Sequence, residues 1–264
     1  MKNQLEDIEN PSNIKSKPFD TTQSFKAKIK TQSCIDFFIL ETEVPMDFVH
    51  DLNEEIDVLK TDENREDYSG KLVGQATEQI SLQRNANQTF AGLYGLAESA
   101  SLQYCKTFNA MLNESNSGMP AEEYTVADCY ECWSVHSFAG DYNPIHDHGN
   151  RLEGALSFVL YTKVPDEIRN KEAKSLHGAS GMLDGCITFT NGSTSQKAFA
   201  QLRYPKIITI VPQVAKLLVF PHWLNHMVYP FRCNGERRSI SGNVTLLTEE
   251  IHRILMSQSN NGSE

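Results

Sequence analysis

At 264 residues the chain can bury one large core or two small ones. Its 34 acidic against 24 basic side chains give a formal net charge of −10, so it lacks the basic face of a general nucleic-acid or anionic-membrane binder. The six cysteines, Cys34, Cys105, Cys129, Cys132, Cys186 and Cys233, are scattered without a disulfide framework, and no apolar run approaches the roughly 20 residues of a membrane span. The N-terminal stretch MKNQLEDIENPSNIKSKPFDTTQS has no apolar segment of a secretory signal. Together these features read as a soluble, cytoplasmic protein.

Residues 1–25 are polar, carry Pro11 and Pro18, and read as a flexible N-terminal arm. CIDFFILETEV (34–44) has the aromatic and β-branched content of a first strand. Pro45 then opens a helix whose Phe48, Leu52, Ile56 and Leu59 share one face. Residues 61–90 read as loop with short elements. A second helix is expected over 91–112, with Leu93, Leu96, Ala100, Tyr104, Phe108 and Met111 as its core stripe. Beyond Gly118, short strands are expected at 123–136, 154–162, 185–191, 206–211, 215–220 and 237–247. Residues 166–184, charged and then rich in Gly and Ser, read as a mobile crossing loop that could close over a pocket.

Many short strands after two helices predict a mainly β fold with flanking helices. The expected boundaries are the arm at 1–25, one domain at 26–250 with its core at 120–247, and a C-terminal tail at 251–264. Cys129 and Cys132 match C-x-x-C, but their odd spacing on an even strand sends the thiols to opposite faces, and no second pair completes a zinc site.

Of eight histidines, six lie between residues 136 and 226. His146 and His148 are two apart, so on an extended chain they point to the same side. They precede a strand, and His226 follows another, in LLVFPHWLNHMVYP. Two ligands from one strand edge and one from a distant edge make a facial triad with open positions. Asp147 could serve in place of His148 only if the local backbone turned. His222 and His226 are four apart like a metalloprotease pair, but position 223 is Trp and Phe220-Pro221 argues against a helix. His222 therefore reads as a satisfied structural residue beside the site, His136 as strand packing and His177 as solvated. Phe220, Trp223 and Tyr229 read as core or pocket wall.

In GERRSISGNVTLL, Arg237, Ser239, Ser241 and Asn243 alternate with Arg238, Ile240, Gly242 and Val244. One face is thus polar and charged. Inside a β-sandwich, Arg237 would need an anion, and a dicarboxylate would meet its guanidinium with two parallel hydrogen bonds. Arg238, on the other face, reads as a surface charge.

The order of Trp133, GDYNPIHDHG, SFVLYTKVP, VAKLLVFPHWLNHMVYPF and RRSIS over about residues 120–247 resembles the Fe(II)/2-oxoglutarate-dependent dioxygenases. Within them it is most similar to the oxygenase group related to prolyl hydroxylases. The resemblance implies a double-stranded β-helix (jelly roll), with Fe(II), 2-oxoglutarate as cosubstrate and O2. It implies His146, His148 and His226 as metal ligands and catalytic centre. Arg237 and Ser239 would hold 2-oxoglutarate, joined by Tyr161. The implied activity is hydroxylation, with 2-oxoglutarate decarboxylated to succinate and CO2. The family at large has a carboxylate where this chain has His148. The substrate, a small molecule or a peptide, is not named by the sequence, nor is the oligomeric state. Two other readings remain: a three-histidine cupin-type enzyme that does not use 2-oxoglutarate, such as a thiol dioxygenase, and a catalytically silent β-sandwich that binds a partner.

Overall fold

The computed structural model describes residues 5–8, 25–28, 30–34, 37–71, 74–114, 123–148, 155–170, 181–191 and 207–261. Within the segment expected to be an arm lies β1 (Leu5–Ile8), which pairs antiparallel with β2 (Phe25–Lys28) at and beyond its end. Next come β3 (Lys30–Cys34), β4 (Phe37–Glu43), helix α1 (Met46–Lys60), β5 (Glu78–Ser81) and helix α2 (Gln88–Glu114). The β-rich half holds β6 (Val126–Ser137), β7 (Asn143–His146), β8 (Leu156–Lys163), a short helix α3 (Asp166–Arg169), β9 (Ile187–Thr190) and β10 (Ile207–Ile210). It is completed by β11 (Lys216–Pro221), β12 (Asn225–Val228), β13 (Arg237–Leu247) and helix α4 (Glu249–Asn261).

Seven strands form the larger sheet, in the order β3-β4-β11-β8-β13-β6-β5, and four form the smaller, β10-β9-β12-β7. All their pairings are antiparallel. This is the expected jelly roll. The strands that join the two layers alternate faithfully. Phe37 and Ile39 of β4, Val159 and Tyr161 of β8, and Leu218 and Phe220 of β11 face Ile187 and Phe189 of the smaller sheet. Their neighbours Phe38, Leu40, Leu160, Leu217 and Val219 face the other way, onto α1 and α2. A sheet covered on both faces explains why FFIL, LSFVLYT and KLLVF are apolar almost without interruption. Each such fully buried aliphatic or aromatic side chain contributes about 1.5–3 kcal/mol.

The expected helical stripes pack as the periodicity predicts, with Phe48, Leu52 and Ile56 of α1 and Leu93, Ala100 and Tyr104 of α2 buried. Phe108 departs from the core expectation: it is 41% exposed, near the end of α2, although its ring still lies 6.5 Å from that of Phe38. Among the described residues, no helix is long and apolar enough to cross a membrane.

The C-x-x-C reading needs correction. Cys129 and Cys132 lie on the same face, both buried, with their sulfurs 3.5 Å apart. The cause is a β-bulge. Glu131 opposes Asn243 and Cys129 opposes Val244, which makes Tyr130 the extra residue of the bulge. One extra residue shifts the alternation by one, which returns Cys129 to the face of Cys132.

The crossing segment 166–184 is anchored at both described ends. Ile168 of α3 is buried, a Cβ on Gly185 would meet its side chain at 2.6 Å, and Arg232 pairs with Asp184 at 2.9 Å. Residues 171–180, including His177, lie outside the described residues.

Candidate metal centre

Two short strands carry the histidines. β7 and β12 pair in the smaller sheet, with His226 directly opposite His146. His148 lies two residues past His146, where its backbone N–H donates to the His222 carbonyl at 3.2 Å. The three rings converge: centroids are 4.2 Å apart for His146 and His226, 5.1 Å for His148 and His226, and 5.9 Å for His146 and His148. One ring nitrogen from each lies within 4.8 Å of the others. Asp147 is exposed and outside this cluster. The even spacing therefore places His148, rather than Asp147, beside the other two.

Ring orientation is set by neighbours. The Nδ1 of His146 lies 2.7 Å from the Pro144 carbonyl oxygen, and that of His226 lies 2.9 Å from the Leu224 oxygen. A carbonyl accepts only from N–H, so both imidazoles carry their proton on Nδ1 and leave Nε2 as a lone pair. The Nε2 atoms of His148 and His226 face each other at 3.4 Å. The Asn143 amide donates to the His146 Nε2 lone pair at 3.2 Å.

Burial, reinforced by the neighbouring His146 and His222, pushes the pKa of His148 down to about 3. It likewise holds His226 well below the usual imidazole value, with His146 and His148 adding to the effect, and lowers His146. All three are thus neutral at physiological pH. Neutral imidazoles with convergent ring nitrogens suit a divalent transition metal; protonated ones would not.

Above the histidines lies a cavity whose wall includes Trp133, Tyr142, Phe158, Phe220, Arg237 and Ser239. The polar face of β13 is therefore the inward face, as its alternation predicts. Arg237 is 2% exposed, and its Nε donates to the Gly185 carbonyl at 3.2 Å. Among the described residues no carboxylate pairs with it. Ser239 is directly across the β13–β8 ladder from Tyr161, because a bulge at Thr162 brings the two into register. Burial raises the Tyr161 phenol to about 12; its hydroxyl is close to Arg237 but makes no hydrogen bond of normal geometry. A buried cation with no counter-ion among the described residues and an unsatisfied buried hydroxyl, side by side, make a ready anion site.

Arg238 is not the surface charge expected. It is 1% exposed, on the opposite face of β13. Its guanidinium bonds Glu236 at 2.9 Å, Asp57 of α1 at 2.5 Å and the Asn53 side chain at 3.1 Å. The alternation correctly separated the two arginines but could not reveal the acids that α1 brings to the second.

His222 is buried, with Nδ1 3.3 Å from Ser157 Oγ and its ring 5.4 Å from that of His148. His136 is held between Ser134 at 2.9 Å and Glu236 at 2.6 Å, away from the cluster. Phe220 lines the cavity, but Trp223 does not belong to the core: it is 51% exposed in the turn between β11 and β12, edge-on to Phe37. Sequence reasoning missed Asn143. Its only signal was an amide three residues before a histidine.

Residues 131–243 match the family described as "Putative 2OG-Fe(II) oxygenase". No curated protein matches the chain. Among solved structures, a prolyl-4-hydroxylase from Pseudomonas putida is 14% identical, with 80% of this chain and 93% of that chain covered at a TM-score of 0.47. HygX from Streptomyces hygroscopicus, solved with nickel and 2-oxoglutarate, is 12% identical over 78% of this chain and 82% of its own, at 0.45. A prolyl hydroxylase from Trichoplax adhaerens, in complex with a hypoxia inducible factor oxygen degradation domain peptide fragment, is 12% identical over 81% and 84%, at 0.46.

Proposed function

We propose that this chain, whose residues 131–243 match the 2OG-Fe(II) oxygenases, is a hydroxylase that holds Fe(II) through His146, His148 and His226. When bound, iron with 2-oxoglutarate and O2 supplies the oxidising power, and 2-oxoglutarate leaves as succinate and CO2. The observation that carries this reading is Arg237, a buried guanidinium with no carboxylate partner among the described residues, opening into the same cavity as three neutral histidines.

Each residue then has a physical task. The Pro144 and Leu224 carbonyls lock two ligand imidazoles in the tautomer that presents Nε2. Asn143 gives up its contact with His146 when a metal takes the lone pair. Arg237 clamps the distal carboxylate of 2-oxoglutarate, and Ser239 and the Tyr161 hydroxyl complete its hydrogen bonds. Trp133, Phe158 and Phe220 wall the cavity with apolar surface and exclude water, which strengthens these contacts. The substrate is a small molecule or a peptide, met at the cavity mouth near Tyr142.

A three-histidine enzyme that does not use 2-oxoglutarate would leave Arg237 with nothing to neutralise. The test is anaerobic calorimetry of the purified protein with Fe(II) and then 2-oxoglutarate, followed by succinate measurement in air. Saturable 2-oxoglutarate binding that needs the metal, with succinate formed, is expected. Iron binding without 2-oxoglutarate binding would transfer the site to the cupin-type reading, and no iron binding would leave a β-sandwich binding protein.

A further inference from the structure

We infer that Gln79 and Trp133 form a subsite, in the cavity wall beside the metal centre, for one uncharged amide group of the substrate. This rests on the reading of the three histidines and Arg237 as a metal and 2-oxoglutarate site. Both side chains line the same cavity as His146, His148, His226 and Arg237. Gln79 is 3% exposed and Trp133 2%, and among the described residues nothing pairs with Gln79 Oε1 or Trp133 Nε1. An acceptor and a donor, each buried and unsatisfied, therefore stand in the wall of one cavity.

The larger sheet brings them together. On its edge strand β5, Gln79 stands opposite Val135 of β6, and Ser81 stands opposite Trp133. Gln79 and Trp133 are thus diagonal neighbours on the inward face, roughly 7–8 Å apart at the backbone, within reach of one ligand group. The same rows continue to Ser239 and Ser241 of β13, the strand that carries Arg237. The Trp133 ring lies 6.1 Å from that of His148, so the subsite also adjoins the metal ligands.

Both residues are braced by one tyrosine. The Tyr68 ring stacks on the Trp133 indole at 4.6 Å, and its backbone N–H donates to the Gln79 carbonyl at 3.0 Å. Its hydroxyl donates to Glu131 Oε2 at 2.7 Å. The stretch ahead of β5 is fastened to the residues before β7. Gln75 and Tyr142 exchange backbone hydrogen bonds at 2.9 Å, and the Thr77 N–H and hydroxyl donate to Asp141 at 2.8 and 2.7 Å. A wall fixed in this way loses little entropy when a ligand binds.

The chemistry of the wall selects the ligand. Among the described residues that line the cavity, Arg237 alone carries a fixed charge, and 2-oxoglutarate takes it. A second charged group would enter without a partner and at a desolvation cost. The Gln79 amide offers an acceptor and a donor whichever way its plane is turned, and the Trp133 indole offers a donor. An amide supplies the matching N–H and carbonyl in one flat, neutral unit, and its oxygen has two lone pairs to share. A carboxamide on a small molecule and a backbone amide of a peptide both present this unit.

The experiment uses the two tryptophans of the chain, whose indole N–H signals are read by NMR of nitrogen-labelled protein loaded with Zn(II) and 2-oxoglutarate. Trp223→Phe assigns the pair. The probes are propionamide for a free carboxamide and N-acetylglycine N-methylamide for a peptide, with propionate, propylamine and propanol as controls. A saturable shift of the Trp133 signal with an amide, and with no control, is expected; the amide that saturates at lower concentration identifies the source. Gln79→Leu should weaken that binding about tenfold. Equal shifts with a control, no shift with either amide, or wild-type amide affinity in Gln79→Leu overturn the inference. So does a fall in 2-oxoglutarate affinity in Gln79→Leu, which would assign the residue to the cosubstrate. Failure of the metal-centre reading would look different: wild type would bind no Zn(II), or no 2-oxoglutarate after it, before any amide is added.

Discussion

The guanidinium carbon of Arg237 lies 5.1 Å from the centroid of the Tyr161 ring, both residues buried and both on the layer of the larger sheet that faces the smaller one. The ring's negative face offsets part of the cost of a buried charge, and an anion must supply the rest. Arg237→Lys keeps the charge and loses the two-pronged geometry, so 2-oxoglutarate affinity should fall by about 1–3 kcal/mol while metal affinity stays at the wild-type level. Tyr161→Phe should cost about 0.5–1.5 kcal/mol of the same affinity. Calorimetric titration of each variant checks both.

Metal should stabilise the fold through the histidines. A ligand that binds only the native state at about 100 times its Kd adds about 2.7 kcal/mol. Adding Ni(II) or Fe(II) should therefore raise the melting temperature of wild type measurably. In His146→Ala, His148→Ala and His226→Ala the shift should vanish; a full shift in His226→Ala would remove that residue from the metal set.

Arg238 has a structural task, so its replacement should act on stability. Arg238 is buried while Asp57 is exposed and Glu236 and Asn53 are partly buried, so Arg238→Ala removes an enclosed guanidinium with its charged hydrogen bonds and should destabilise by about 1.5–3 kcal/mol in chemical denaturation. Arg237→Ala, which leaves no carboxylate behind among the described residues, should cost less. Equal losses would show that Arg237 too has a protein counter-ion.

The same cluster predicts an acid limb. Burial lowers His136 below its ordinary 6.5, outweighing the pull of Glu236. Burial by itself would raise Glu236, but hydrogen bonds from His136 and Arg238, with the charges of Arg238 and Lys163, hold it well below 4.5. Both groups therefore bind protons more readily in the unfolded chain. Their stabilisation is present at neutral pH, begins to fall as pH drops below about 6.5 through His136, and falls further below about 4.5 through Glu236. Melting temperature followed from pH 8 to about pH 2 should show both stages, and Glu236→Gln should flatten the lower one.

Most of the jelly roll was legible because its strands are covered on both faces, so their apolar runs stand out from polar turns. β7 and β12 were not legible as strands. NPIH and NHMV are four residues long, contain Pro or His, and have neither the β-branched density nor the alternation of a half-buried strand. Yet these two carry His146 and His226 into register, so the ligand residues were visible while the elements that present them were not. α4 also escaped notice: Ile251, Ile254 and Leu255 are each nearly half exposed, so no buried stripe marks it. The bulge at Tyr130 defeats any reading that counts residues by twos, because the extra residue is visible only against its partner strand. For Arg238, the decisive neighbours Asn53 and Asp57 are more than 180 positions away in the chain.

β13 carries its two arginines next to each other, so charge alone does not determine which one enters the cavity. A slip of one residue would still give each side of the strand one guanidinium. What forbids it is Gly242: a Cβ there would meet Phe158 at 2.5 Å and the Glu131 carbonyl oxygen at 2.6 Å. Slipped either way, the strand would press the side chain of Ser241 or Asn243 into that space and turn Ile240 and Val244 into the cavity. One residue with no side chain thus acts as the key that indexes the strand, and lengthening or shortening the turn at 232–236 should be tolerated only where the change leaves that key in its slot.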